Sequence, residues 1–254
     1  MDFYLSTIGE NAGELARQYG LGIEIAEFCY SANMDTDFSH WDGIARANMA
    51  QIERRIFHAP CFDLCPAAIE PLLVEVTWKR YKQAYALMRT YGINKMVVHS
   101  GYIPQLYIKS WFIEKSVAFW RAFISDKPPE FLLLLENTLE EKPEMLCEIV
   151  EQVGDARFQL CLDIGHSGTV SSAVPVSYWV EHVAPYLGHV HVHNNYHISD
   201  KHNPPGDGII DMSIVLNQIT QAQPKATFTL ETQDLQSSLT WLGTNGFIKG
   251  AANA

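Results

Sequence analysis

Eight short runs rich in β-branched residues, leucine and phenylalanine recur along the chain. They are FYLSTI (3–8), GIEIAEF (22–28), RIFHAP (55–60), KMVVHSG (95–101), FLLLLEN (131–137), FQLCLDIGH (158–166), GHVHVHN (188–194) and ATFTLET (226–232). Runs this short and this apolar suit strands covered on both faces, which is the environment of a parallel sheet. Longer amphipathic stretches follow them, as in NAGELARQYG (11–20), IARANMAQIERR (44–55), VTWKRYKQAYALMRTYG (76–92) and EKPEMLCEIVEQVG (141–154). Gly20, Gly92 and Gly154 stand where helices end, and Pro143 suits a first turn. Eight strand–helix units with no linker, repeat or low-complexity segment predict a single (β/α)8 barrel domain over residues 1–254. The alternative is a doubly wound open sheet. That fold advertises a glycine-rich phosphate turn after its first strand, and TIGENAG is not G-x-G-x-x-G.

Composition narrows the class. With 47% hydrophobic and 19% charged residues the chain is ordinarily globular, which excludes intrinsic disorder. No apolar run reaches the roughly 18–20 residues of a membrane span. The first residues lack the basic and apolar segments of a signal peptide, so a cytoplasmic protein is expected. The five cysteines, Cys29, Cys61, Cys65, Cys147 and Cys161, then read as reduced thiols. Cys61 and Cys65 have no second pair with which to build a zinc knuckle. A formal charge of −11 disfavours nucleic acid as a partner.

The chemistry gathers at the strand ends. His58 ends the third run, His99 the fourth and Glu136 the fifth; Asp163 ends the sixth, with His166 just beyond. His191 lies in the seventh run and Glu231 ends the eighth, while the loop SDKHNPPGDG carries Asp200 and His202. Active sites of such barrels sit at that C-terminal end. Any one of these residues alone reads as a hydrogen-bonded structural group. Together they converge several carboxylates on one mouth, where mutual repulsion calls for a cation. His189, His191 and His193 share one face of their strand; His191 is the preferred ligand, and His193 its substitute or a pocket residue. His40 and His182 read as surface residues. His197 is a loop residue placed to meet substrate. Tyr102, Tyr107 and Trp111 are aromatic residues that suit stacking on a sugar or base, with helix core the preferred reading for Trp111.

The motifs FHAP (57–60), VVHSG (97–101), LENT (135–138), DIGH (163–166), HVHNN (191–195), DKHNPPGDG (200–208) and LET (230–232) span the whole barrel. Together the chain resembles the superfamily that holds endonuclease IV and the xylose isomerase-like sugar isomerases and epimerases, which implies a TIM barrel. The endonuclease pattern implies up to three Zn²⁺: one held by His58, His99 and Glu136, one by Glu136, Asp163, His191 and Glu231, and one by His166, Asp200 and His202. The isomerase and epimerase pattern implies a single Mn²⁺, Mg²⁺ or Co²⁺ at Glu136, Asp163, His191 and Glu231. The chain departs from the nuclease in two loops. EFCYSANMDTDFSHWDG (27–43) is acidic and has no arginine; APCFDLCPAA (59–68) has no basic residue and no aromatic directly after the histidine motif.

Two reactions stay open on a small sugar or sugar-phosphate substrate, with oligomeric state undetermined. Ionised Glu136, Asp163, Asp200 and Glu231 sum to about −4; three divalent ions turn this to about +2 and attract phosphate, while one leaves about −2 and repels it. The multinuclear site suits phosphoester hydrolysis and is slightly preferred, with AP endonuclease-like activity one form of it. The mononuclear site suits an isomerase or epimerase in which Glu136 and Glu231 carry the proton. A non-catalytic metal-binding module ranks third, because a fold alone decides no activity.

Overall fold

Every apolar run of the sequence forms a strand, and His58, His99, Glu136 and Asp163 are the last residues of theirs. The computed structural model describes residues 1–249. Its strands are β1 (Asp2–Ser6), β2 (Gly22–Ile25), β3 (Arg55–His58), β4 (Lys95–His99), β5 (Leu132–Glu136), β6 (Phe158–Asp163), β7 (Leu187–Val192) and β8 (Thr227–Leu230). All pair in parallel with their sequence neighbours, and β1 also pairs with β8, so the sheet closes on itself as a (β/α)8 barrel. The expected runs overshoot the strands by up to three residues at their C-termini. Those extra residues, Ala59–Pro60, Ser100–Gly101, Ile164–His166, His193–Asn194 and Glu231–Thr232 among them, build the mouth instead.

The connecting helices are α1 (Ala12–Tyr19), α2 (Phe38–Met49), α3 (Pro71–Thr90), α4 (Lys109–Ile124) and α5 (Glu144–Val153), then α6 (Ile164–Ser167), α7 (Val176–Val183), α8 (Met212–Ala222) and α9 (Leu235–Thr244). Gly20 and Gly154 close α1 and α5 at φ of 65° and 67°, left-handed values that cost glycine nothing. The helix expected over 44–55 lies six residues earlier, as α2. Gln51 at φ 63° breaks it, and Arg55 already belongs to β3. A one-turn helix, α6, interrupts the passage from β6 to α7. Among the described residues no helix is long and apolar enough to cross a membrane.

Alternation along the strands separates two cores. Phe3, Leu5, Ile23, Ile25, Phe57, Val98, Leu133, Leu160, Val190 and Phe228 face outward and pack in one continuous cluster with the helices. Inside the barrel, Tyr4, Ile56, Val97, Leu134 and Cys161 form a small separate apolar plug. Above that plug every inward position is polar. Register sets His99 opposite Glu136, Asp163 opposite His191, and His191 opposite Thr229.

A candidate metal centre at the barrel mouth

The nine expected ligands meet in three adjoining groups. His58, His99 and Glu136 form one; Glu136, Asp163, His191 and Glu231 form the second; His166, Asp200 and His202 form the third, joined by His193. Within each group one potential ligand atom per residue lies within 4.8 Å of every other. Glu136 belongs to two groups and sits between them. Its Oε2 is 3.3 Å from Nε2 of both His58 and His99, and its Oε1 is 3.3 Å from Nδ1 of His191. Nδ1 of His191 is also 2.9 Å from Oε2 of Glu231. Asp200 Oδ2 lies 3.0 Å from Nε2 of both His166 and His202.

Neighbouring atoms set which ring nitrogen faces inward. Nδ1 of His58, His166 and His202 lies 3.0, 2.9 and 2.8 Å from the carbonyl oxygens of Ala59, Asn137 and Glu231. A carbonyl can only accept, so Nδ1 carries the proton and Nε2 keeps its lone pair for the centre. His191 is turned the other way. Its Nε2–H donates to Oε1 of Glu24 at 3.1 Å, which leaves Nδ1 for the centre. Asn137 and Asp163 clamp the ends of β5 and β6: Asn137 Nδ2 donates to the Asp163 carbonyl at 3.0 Å, and Asp163 N–H donates to Asn137 Oδ1 at 2.8 Å. The other end of Asp163 caps α6, accepting from His166 N–H at 2.7 Å.

The donors fit cations rather than a closed hydrogen-bond network. Glu136 Oε2 and His193 Nδ1 are buried and make no hydrogen bond, although each faces other ligand atoms. An unsatisfied buried carboxylate oxygen is costly, and a bound cation removes that cost. Burial works against the charge of Glu136, yet the imidazoles of His99, His191 and His58 outweigh it and hold the carboxyl well below the ordinary range. Burial likewise pushes His58 down, but Glu136 overcomes this and raises it to about 10; His202, opposed by burial and supported by Asp200, rises to about 9. Protons on these imidazoles thus balance the carboxylates, and a metal ion would displace them.

The expected substrate contacts are placed differently. His193 is fully buried, with Nε2 2.9 Å from Asp163 Oδ1 and its ring stacked on His202 at 4.0 Å between centroids. It therefore lies inside the cluster, against Asp163, rather than facing an open pocket. Tyr102 is 3% exposed and packs against Tyr107 and Phe112, so its ring has no free face for stacking. His197 lies in a separate groove between α7 and α8, bonded to the Gly168 carbonyl at 2.8 Å. Trp111 corrects the core expectation: in the first turn of α4 it keeps 40% of its surface exposed, with Lys115 Nζ 4.6 Å over its ring and its indole N–H donating to the Ala67 carbonyl at 3.4 Å.

Several contributors escaped the sequence reading. Glu24 is fully buried and reaches both His191 and His189, whose Nε2 is 3.3 Å away. Its signal was a single carboxylate inside the apolar strand GIEI. Cys29 and Cys61 stand against His58, a meeting across two loops that no spacing announces.

The family model for xylose isomerase-like TIM barrels matches residues 10–245. Uncharacterized protein MJ1311 of Methanocaldococcus jannaschii is 24% identical over 197 residues, which is 72% of this chain and 66% of that protein, just under two thirds of its length. Among solved structures, a D-tagatose 3-epimerase-like protein superposes with a TM-score of 0.75 at 22% identity, covering 97% of both chains. The 3-keto-D-glucoside 4-epimerase of E. coli gives 0.71 at 14% identity, covering 96% of this chain and 99% of its own. At these identities the structural likeness establishes the fold.

Proposed function

The chain belongs to the xylose isomerase-like TIM barrel family, and on that premise we propose that it is a divalent-metal-dependent isomerase or epimerase of a small neutral sugar. The observation that carries this reading is the second group: Glu136, Asp163, His191 and Glu231, all four buried, each offering a donor atom within 4.8 Å of the others. A divalent ion held there would supply Lewis-acid polarisation of adjacent sugar oxygens. One of Glu136 and Glu231 takes the carbon-bound proton and the other returns one. The epimerases among the structural neighbours support this choice.

Charge supports it as well. Glu24 joins Glu136, Asp163, Asp200 and Glu231, making five carboxylates beneath and around the mouth. Three divalent ions then leave about +1, and a bound hydroxide cancels it, so the centre offers phosphate little attraction. Among the described residues no lysine or arginine pairs with any of the nine ligands. In D₂O, a turned-over ketose or aldose should gain deuterium at the epimerised or isomerised carbon, and Glu231→Gln should abolish the uptake. Turnover without solvent deuterium would end this reading.

A second reading, phosphoester hydrolysis, is favoured by one observation: the three donor groups adjoin and share Glu136. It expects about three zinc ions per chain, with two ions assisting the attacking and leaving oxygens. Elemental analysis of protein purified without chelators tests it, and a single ion per chain would retire it. Duplex DNA draws no support as substrate, since the loop after β2 (26–37) carries Glu27, Asp35 and Asp37 and no lysine or arginine.

A further inference from the structure

Cys29 and Cys61 lie outside the nine ligands, yet both stand within 4.8 Å of one, His58. β2 and β3 pair Ile23 with Arg55 and Ile25 with Phe57. The same offset, continued past the strand ends, sets Cys29 opposite Cys61, and the Cys61 N–H donates to the Cys29 carbonyl at 3.1 Å. Neighbouring strands run about 4.7–4.9 Å apart, and a disulfide spans Cα separations of about 4.4–6.8 Å. The two sulfurs lie within 4.8 Å of each other, and both thiols are half-buried. Cys65 and Cys161 are buried in the core, and Cys147 faces the His182 carbonyl on the outer helices.

The pair adjoins the centre through His58. Nδ1 of His58 is 3.0 Å from the Ala59 carbonyl and 3.2 Å from the Cys29 sulfur, while Nε2 faces Glu136. The residues after the two cysteines, Tyr30 and Phe62, meet above with ring centroids 4.5 Å apart and more than half of each exposed.

We propose that Cys29 and Cys61 form a reversible disulfide that weakens the hold of His58 on a metal ion. Both S–H bonds break and one S–S bond forms. Two protons and two electrons leave, taken by a peroxide, which becomes two waters, or by a small-molecule disulfide, which becomes two thiols. Joining the sulfurs draws Cys29 off Nδ1 and ties the loops after β2 and β3 together. Loss of such an outer contact lowers metal affinity about 10- to 100-fold. The cross-link stands on the thiol geometry alone; its effect on metal rests on the reading of His58 as a ligand.

The test uses the full chain loaded with Zn²⁺, treated with hydrogen peroxide, desalted, alkylated and peptide-mapped, with zinc counted before and after. The expected result is a Cys29–Cys61 cross-link and the loss of one zinc, both reversed by dithiothreitol and fresh Zn²⁺. Cys61→Ser, which leaves the Cys29 sulfur against His58, should keep its zinc under the same treatment. Free alkylation of both cysteines after peroxide would overturn the proposal. A cross-link with zinc unchanged would overturn its coupling to His58. A chain that holds one ion before oxidation yet still cross-links would refute the metal position at His58 while leaving the disulfide standing.

Discussion

Glu24 decides how His191 presents itself. The imidazole has two nitrogens, and only the one not engaged by Glu24 can face Glu136 and Glu231. Burial opposes the charge of Glu24, but His191 and His189 more than compensate and hold it well below the usual carboxylate range. Thr229 adds a hydroxyl donor to the same carboxylate. Removing one member of a buried charged network costs on the order of 3–5 kcal/mol, so Glu24→Ala should melt far below the parent. Glu24→Gln keeps the shape and an acceptor oxygen but loses the charge that strengthens His191 as a donor. Its affinity for Mn²⁺ or Zn²⁺ at the central group should fall about 10- to 100-fold, as read by isothermal titration. Parent-like affinity in Glu24→Gln would show that the carboxylate does not serve His191. This residue was hard to read from sequence because its importance comes from β7, across the lumen, not from its own run.

At the scale of elements, the strands were legible because burial on both faces leaves an unbroken apolar signature, and because each run ended in a chemically distinct residue. His58, His99, Glu136, Asp163 and Glu231 could thus be placed at one rim before any coordinates. The start of α2 was not legible: Asp37 adopts a left-handed φ of 53° ahead of Phe38, and no cap motif announces it. The one-turn α6 was also hidden, since its reason lies in packing. Gly165 presses its backbone against the His193 ring so closely that any Cβ there would overlap it. Asn195 holds that turn by donating to the Gly165 carbonyl at 2.8 Å. Gly165→Ala should therefore cost about 1–3 kcal/mol by overpacking and push His193 off Asp163. The melting temperature and the affinity for Mn²⁺ at the group that includes Asp163 should fall together, because His193 braces that carboxylate. A variant that loses stability but keeps every ion would separate α6 from the centre.

For the molecule as a whole, protons and metal ions compete for the same lumen, and the sign of that competition can be worked out. His58 and His202 sit at about 10 and about 9 in the metal-free fold, above an ordinary imidazole near 6.5. Between those limits the folded chain holds protons that the unfolded chain has released, so stability falls as pH rises. Their contribution is complete below about pH 6.5 and is lost as pH climbs through about 9 to 10. Glu24 and Glu136 are held low, so their contribution is complete above about pH 4.5 and fades as pH drops through their depressed values. The metal-free protein should be most stable in the window between, near pH 5 to 6.5. Metal binding replaces the imidazole protons, so affinity should rise with pH and protons should appear in solution on loading. Melting the EDTA-treated protein from about pH 6 to pH 9.5 should show a steadily falling midpoint, whereas the zinc-loaded protein should hold or gain over the same range. Parallel curves with and without metal would mean that metal ions do not displace those protons, and the proposal that His58 and His202 are metal ligands would fall with them.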